Sequence, residues 1–463
     1  MIKSNKTLAP ADFLPQLERF WARSAECIDA VERSCPPGSS SPVFTKAGRY
    51  TSQGWTEWTQ GFQYGSALLQ FDATGDERFL KLGRDRTVAH MAAHVTHIGV
   101  HDHGFNNVST YGNLWRLMNE GRIPEFEWER NYYELALKAS GAVQAARWAK
   151  TADGSGYIYS FNGPQSLFVD TIRTCRALAL AHQLGHLLLG ENDERISLMR
   201  RLVEHATSTA RYNIWYGEGR DNYDVAGRTA HESVFNTKTG EYRAPSTQQG
   251  YSPFSTWTRG LAWAMLGYAE LLEWLATRID SELDACGGRD AVEAIFVNAA
   301  RATCDFYIRE MPACGVPYWD TGAPGLAKLG DYRDRPANPF NGEESVDSSA
   351  ASIAAQGLLR LGRYLSRAGD TAEAAGAYVQ SGLTIISTLL DEPYLSTSGD
   401  HEGLILHSVY HRPKGWDYIP PGSKIPRGEA SMWGDYHARE LALYVGRLAK
   451  NEPYYTFFGP VDG

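Results

Sequence analysis

Apolar residues recur along this chain at the three-to-four-residue spacing of one helix face, and the pattern holds through most of its length. It predicts twelve helical segments, at roughly 11–34, 57–74, 77–96, 105–118, 127–149, 166–185, 193–211, 256–277, 290–309, 347–366, 371–390 and 433–449. Strict apolar–polar alternation, the mark of a half-buried strand, is scarce. The fold class expected is all-α.

The segments come in pairs with similar links. FDATGDERFLKL (71–82), LLLGENDERISLM (187–199) and LSRAGDTAEAAGA (365–377) each supply Gly or Asn to stop one helix. Each then offers Asp or Asn as a cap and acids in the next first turn. That is a repeat of helical hairpins. Six hairpins can stack as an open solenoid or close into a ring. The segment starts carry the unusual polar and aromatic residues Trp58, Asp102, Asp170, Trp257 with Arg259, Asp347 and Asp435. Only a closed ring brings those starts to one mouth. We therefore expect an (α/α)6 barrel of six hairpins, one domain over 1–463. The irregular stretches 212–254 and 391–432 exceed the ~15 residues usual for loops without a function. They are rich in Tyr, Trp and Gly and read as loops over the mouth. Residues 1–10 and 36–48 read as irregular or flexible.

Charge narrows the partners. The net charge of −9 argues against nonspecific nucleic-acid binding, which needs a basic field. It leaves room for an acidic ligand held by a local Arg/His pocket. The 13 Trp and 25 Tyr suit a carbohydrate cleft, although large aromatics also fill cores. The first residues, MIKSNKTLAPADFLPQ, contain no apolar stretch of the kind a secretion signal needs. No run approaches the ~18 apolar residues of a membrane span. The six cysteines form no CxxC pair. A cytoplasmic location with reduced thiols is the expectation.

Four short stretches carry candidate chemistry. Asp102 sits in His101-Asp102-His103-Gly104-Phe105, unlike a helix interior. It reads as a cleft carboxylate at a helix start, as an N-cap, or as part of an HxH metal pair whose third ligand the spacing does not show. Asp170 lies in the apolar run LFVDTIRTCRALALA, where a carboxylate is costly to bury unless paired or protonated. Burial and a neighbouring like charge raise a carboxyl pKa, as a proton donor near neutral pH requires. The other reading of Asp170 is a cap for the helix after Pro164. Arg259 and Trp263 stand at i and i+4 on one helix face, where Arg can clasp a carboxylate and Trp can stack on a ring. His231, Gln248 and Gln249 lie in the loop just upstream.

Taken in order, HDHGF (101–105), FVDTIRT (168–174), TQQGYSPFSTWTRGLAW (247–263), VPYWDTGAPG (316–325), DSSAASIA (347–354) and GDYHARE (434–440) resemble the motifs of the unsaturated glucuronyl hydrolases, from about Trp58 to about Val445. The resemblance implies an (α/α)6 barrel. It also implies release of the 4,5-unsaturated uronic acid that polysaccharide lyases leave at a non-reducing end. A carboxylic acid protonates C4 of the vinyl ether, water adds at C5, and the opened hemiketal loses the remaining sugar. By the same resemblance Asp170 is the acid/base and Asp102 the second cleft carboxylate. Arg259 and Trp263 lie near the substrate carboxylate. His231 and Gln249 contact the uronate ring and Trp58 stacks on it, and His101, Phe161 and Gln248 are further substrate-binding candidates. No metal or other cofactor is implied. The partner is an unsaturated uronyl oligosaccharide, and the protein acts as a monomer or homodimer.

The chain departs from the family at Gln248, where His is usual, and at Phe161, where Trp is common. The loop before His231 is long, and Lys424 and Arg427 in the late loop offer cations to a further acidic group. These differences bear on substrate choice. Alternatives are another (α/α)6 carbohydrate enzyme, such as an unsaturated rhamnogalacturonyl hydrolase, an epimerase or an inverting glycosidase, and a non-catalytic glycan-binding toroid.

Overall fold

The computed structural model describes residues 1–36, 38–54 and 57–459, with Glu57 described in its backbone. Pro37, within the stretch expected to be irregular, lies outside the described residues. Twelve helices form the wall. They are α1 (Leu14–Ser34), α2 (Gln60–Thr74), α3 (Glu77–His90), α4 (Asn113–Asn119), α5 (Glu127–Ala146), α6 (Arg176–Gln183), α7 (Leu198–Asn213), α8 (Thr258–Ala276), α9 (Arg289–Glu310), α10 (Ser348–Arg367), α11 (Ala372–Leu389) and α12 (Met432–Lys450). Even-numbered helices line the inside and odd-numbered ones the outside. The inner helices touch in sequence from α2 through α8 and α10 to α12, and α12 packs back on α2, so the ring is closed. The fold is an (α/α)6 barrel. Inner helices are buried on most sides, with their charged groups paired inside: α8 is buried from Thr258 to Leu275. Outer α7 keeps one buried stripe.

Two of the three links behave as their sequences suggest, with one change of cap. Gly75 ends α2 at φ 73° and Asp76 caps α3 by accepting the Arg78 N–H. Before α11 the cap is Thr371, which accepts the Ala374 N–H, rather than Asp370. The third link is different. Leu188–Leu189 and Arg195–Ile196 pair as a small hairpin, and Ser197 caps α7. Asn192 and Asp193 sit at φ 54° and 59° in its tip, so the Asn-Asp pair serves a turn and not a cap.

Three further expectations change. The segment expected as helix from 166 opens as a strand, Ser166–Phe168, then makes a short turn of helix at Thr171–Thr174 before α6. The strand pairs antiparallel with Glu232–Phe235, which pairs with Tyr242–Ser246. A long-range partner decides that stretch, which its own periodicity cannot report. The segment at 105 begins as a π-helix, Gly104–Gly112, and becomes α-helical only at α4. The N-terminal residues are docked: Ile2 is buried and donates its N–H to the Ile308 carbonyl. Phe44–Lys46 and Arg49–Thr51 form a hairpin within and beside the stretch expected to be irregular.

Inside the ring, beyond the mouth, Arg173 meets Glu270 and Glu440 at 3.0 Å each. Tyr455 from the C-terminal segment hydrogen-bonds Glu440, and the Arg116 guanidinium lies over its ring. Among the described residues no helix is long and apolar enough to cross a membrane.

Candidate active site

The inner-helix starts surround a cavity of about 470 Å³. Its wall includes Trp58, Phe161, Phe168, Trp257, Trp263 and Tyr410, and its polar lining includes His101, Asp102, Asp170, Gln248, Gln249 and Arg259. Another hollow, of about 580 Å³ around Arg289, Arg363 and Glu293, is larger but lacks this convergence of aromatic and acid–base groups. The chemistry, and not the volume, picks the site.

At the cavity floor His101 joins two carboxylates. Its Nε2 lies 3.2 Å from Asp102 Oδ1 and 3.5 Å from Asp170 Oδ2. Local structure explains the placement. Gly104 lets the π-helix press on the Thr171–Thr174 turn, where a Cβ would fall on the Thr174 carbonyl. The His101 carbonyl accepts from Thr174 Oγ1 at 3.0 Å and from Gln144 at 2.8 Å. Asp170 precedes its helical turn but makes no side-chain cap, and its Oδ1 is buried without a partner. The capping reading of Asp170 therefore fails.

The acidities differ from expectation. Burial, reinforced by the Asp170 charge, pushes Asp102 up to about 6 against the pull of His101. Asp170 is also pushed up by burial, but its hydrogen bond and charge contact with His101, with His231 nearby, hold it below the usual carboxylate value. His101 is pulled down by burial and raised more by the two carboxylates. The raised carboxyl expected at Asp170 thus stands at Asp102, because His101 donates toward Asp170.

His103 faces away. Its Nδ1 lies 3.0 Å from Ser140 Oγ and its Nε2 2.9 Å from the His97 carbonyl. The HxH metal pair is therefore overturned. The set of potential ligands that the fold does assemble among the described residues is His101, Asp102 and Asp170.

Arg259 is at the cavity wall but its terminal N–H groups are spent. Nη1 donates to Asp347 at 2.7 Å and to the Val409 carbonyl at 2.6 Å. Nη2 donates to Gln249 Oε1 at 2.9 Å and to the Tyr410 carbonyl at 2.8 Å. This corrects the expectation of a free clasp for a substrate carboxylate: Arg259 braces the groups that line the mouth. Asp347 lies below it, capping α10 through the Ser349 N–H, and does not itself line the cavity. Asp435 is not at the mouth either. It accepts from Tyr50 Oη and from the N–H groups of Leu404 and Ile405, tying the late loop to the barrel.

The remaining expected residues gather as follows. His231 Nδ1 accepts the N–H groups of Gln248 and Gln249, at 3.0 and 3.3 Å. Burial pulls its pKa down to about 4, so the ring is neutral and carries its proton on Nε2, which is buried without a partner. Trp58 stacks on Trp433 at 5.1 Å and donates to Tyr410 Oη. Phe161 stacks over His101 at 5.9 Å, and Trp263 packs on Phe105 at 4.7 Å. Arg427 covers the Phe340 ring and donates to its carbonyl; neither it nor Lys424 lines the cavity.

Sequence reading missed Tyr410, His411 and Lys414, which line the cavity from the late loop. Asp417 accepts the N–H groups of Tyr410 and His411, while Arg259 holds the neighbouring carbonyls. That clamp presents a buried His411 ring whose two nitrogens have no partner. Burial pulls its pKa down to about 3, so it is neutral. A periodicity scan gives no signal for a clamped loop; the only hint is the density of His, Trp and Asp in HRPKGWD.

No protein-family profile matches the chain. Among curated proteins it is 25% identical over 409 residues to the unsaturated glucuronyl hydrolase of Bacillus sp. strain GL1, covering 86% of this chain and 89% of that one. It is 24% identical over 408 residues to the unsaturated chondroitin disaccharide hydrolase of Streptococcus pyogenes, covering 86% and 84%. A crystal structure of an unsaturated glucuronyl hydrolase specific for heparin superposes with a TM-score of 0.69 at 20% identity, over 94% of this chain and 98% of that one. The chain is thus similar to the unsaturated glucuronyl hydrolases along more than four-fifths of its length.

Proposed function

We propose that this protein is a hydrolase that releases the non-reducing-end 4,5-unsaturated uronic acid from lyase-generated oligosaccharides, with residues 1–463 as one catalytic unit. The observation that carries this reading is the pair of buried carboxylates bridged by His101 at the floor of an aromatic-walled cavity. Similarity to the unsaturated glucuronyl hydrolases over most of the chain supports it.

In this mechanism Asp170 delivers a proton to C4, and the carboxylate it leaves takes a proton from the water that adds to C5. The C4=C5 bond becomes a C4–H and a C5–OH bond. The resulting hemiketal opens to a ketone, and the freed C1 hemiacetal expels the leaving sugar as an alcohol. Asp170 starts ionised against His101, so its proton comes through the trio. The negative charge of a bound uronate, and the water it displaces, raise the affinity of Asp170 for that proton. Trp58 and Phe161 offer faces to the sugar rings. Gln248, Gln249 and His411 supply neutral polar contacts, with Trp263 beside them, and His231 braces the Gln248–Gln249 backbone from behind.

A second assignment has one observation in its favour. Asp102, raised to about 6, already holds its proton more tightly than Asp170 does. It would then be the donor and Asp170 the base. The spacing argues against an inverting glycosidase, which sets its carboxyl groups ~6.5–9.5 Å apart; here one oxygen of each and His101 Nε2 all lie within 4.8 Å. The deciding experiment is a panel of lyase-generated oligosaccharides followed by ultraviolet absorbance. Turnover abolishes the absorbance of the 4,5-ene; a panel with no loss, alongside cleavage of saturated oligosaccharides, rejects the reading.

A further inference from the structure

We propose that His101, Asp102 and Asp170 also form a zinc-binding site, and that zinc held there blocks the cavity against substrate. The blocking half rests on the proposed function; the binding half does not. The argument begins with spacing. A tetrahedral zinc with bonds of about 2.0–2.1 Å holds its ligand atoms about 3.3–3.4 Å apart. His101 Nε2 is 3.2 Å from Asp102 Oδ1 and 3.5 Å from Asp170 Oδ2, on either side of that value. The third separation, between the two carboxylates, is within 4.8 Å, so a small rotation of one carboxylate closes the triangle.

Other features favour a ligand here. Asp170 is 8% exposed, and its Oδ1 is buried with no partner in the protein. Neither carboxylate is spent on a helix cap. The three residues border the cavity, which leaves room for a water as a fourth ligand, as in zinc sites with three protein ligands. One imidazole with two carboxylates is a mixed nitrogen–oxygen set. It suits zinc better than calcium or magnesium, which prefer all-oxygen shells.

The same geometry makes zinc an intruder and not a resident. Zinc-ligating histidines almost always donate their second ring N–H to an acceptor, which fixes the ring and strengthens the bond. His101 Nδ1 is buried without one. His101, Asp102 and Asp170 all line the cavity, so zinc held by them and a bound sugar compete for the same space.

The test is calorimetric titration of zinc chloride into chelator-treated full-length protein, with turnover of an unsaturated disaccharide measured in parallel. We expect one zinc per chain, affinity at least tenfold weaker in His101→Gln, and loss of the site in Asp170→Asn. Zinc should raise KM without changing kcat, and EDTA should reverse it. Circular dichroism checks each variant; if His101→Gln does not fold, Asp102→Asn takes its place. No zinc heat, or binding unchanged in the variants, overturns the site. Zinc that binds yet leaves KM unchanged or increases turnover overturns the blocking. Calorimetry reports the site even if no unsaturated substrate is turned over, so failure of the site and failure of the functional reading are distinguishable.

Discussion

Arg259 and Asp347 form a buried ion pair at 2.7 Å, with both side chains almost fully withdrawn from water. Nη1 of the same guanidinium holds the Val409 carbonyl, and Nη2 holds the Tyr410 carbonyl and Gln249. The pair therefore couples the stability of the α8–α10 contact to the shape of the mouth. Arg259→Ala leaves the Asp347 carboxylate buried and uncompensated, at a cost of about 3–5 kcal/mol. Denaturant unfolding should show that loss. Arg259→Lys, which cannot bridge four acceptors, should raise KM while retaining part of the stability. Wild-type stability in Arg259→Ala would show that the pair contributes little.

Asp170→Asn should keep the fold and the binding of an unsaturated disaccharide while kcat falls ~10²–10⁴-fold, the usual worth of a general acid–base group. Single-turnover kinetics and direct binding separate the two effects. Near-normal turnover would transfer the role to Asp102.

The pH profile tests the trio as a unit. The negative charge on Asp102 helps hold the His101 proton, and His101 is raised in consequence. Activity that depends on this proton is present at low pH and lost as pH rises through the folded His101 value. Asp102→Asn removes the charge, so His101 releases its proton earlier and the alkaline limb moves to lower pH. A limb that stays in place would disconnect Asp102 from the proton.

His411→Ala should raise KM, because its two ring nitrogens bond nothing in the protein and the ring lines the cavity, with a stability loss limited to its packing on Tyr410 and Trp416. Removing a contact used equally in ground and transition states leaves kcat unchanged. A large stability loss with normal KM would make the ring structural.

In heavy-oxygen water the proposed hydration places label at C5 of the released uronic acid. Mass spectrometry locates it. Label at C1 of the released uronic acid would point to ordinary glycosidic cleavage.

The sequence by itself determined the barrel. The 3.6-residue periodicity of twelve segments and the repeated Gly–Asp links are local signals, and most closed where they were read. It also pointed to Asp102, set between two histidines before a glycine, and to Asp170, set in an apolar run, because neither is the setting of an ordinary surface aspartate. Only the tertiary structure decided how these groups work. Whether 166–168 is strand or helix depends on Glu232–Phe235, about seventy residues away. Whether Arg259 is a clasp or a brace depends on Asp347 and on carbonyls of the late loop. His411 lines the site because Asp417 and Arg259 hold its backbone, and no period along the chain encodes that clamp. Which carboxyl keeps a proton depends on where His101 points its Nε2, and the two aspartates are thereby shifted in opposite directions. Helix-forming patterns are carried by near neighbours, whereas hydrogen bonds and burial at a site join residues that the chain brings together only when the ring closes.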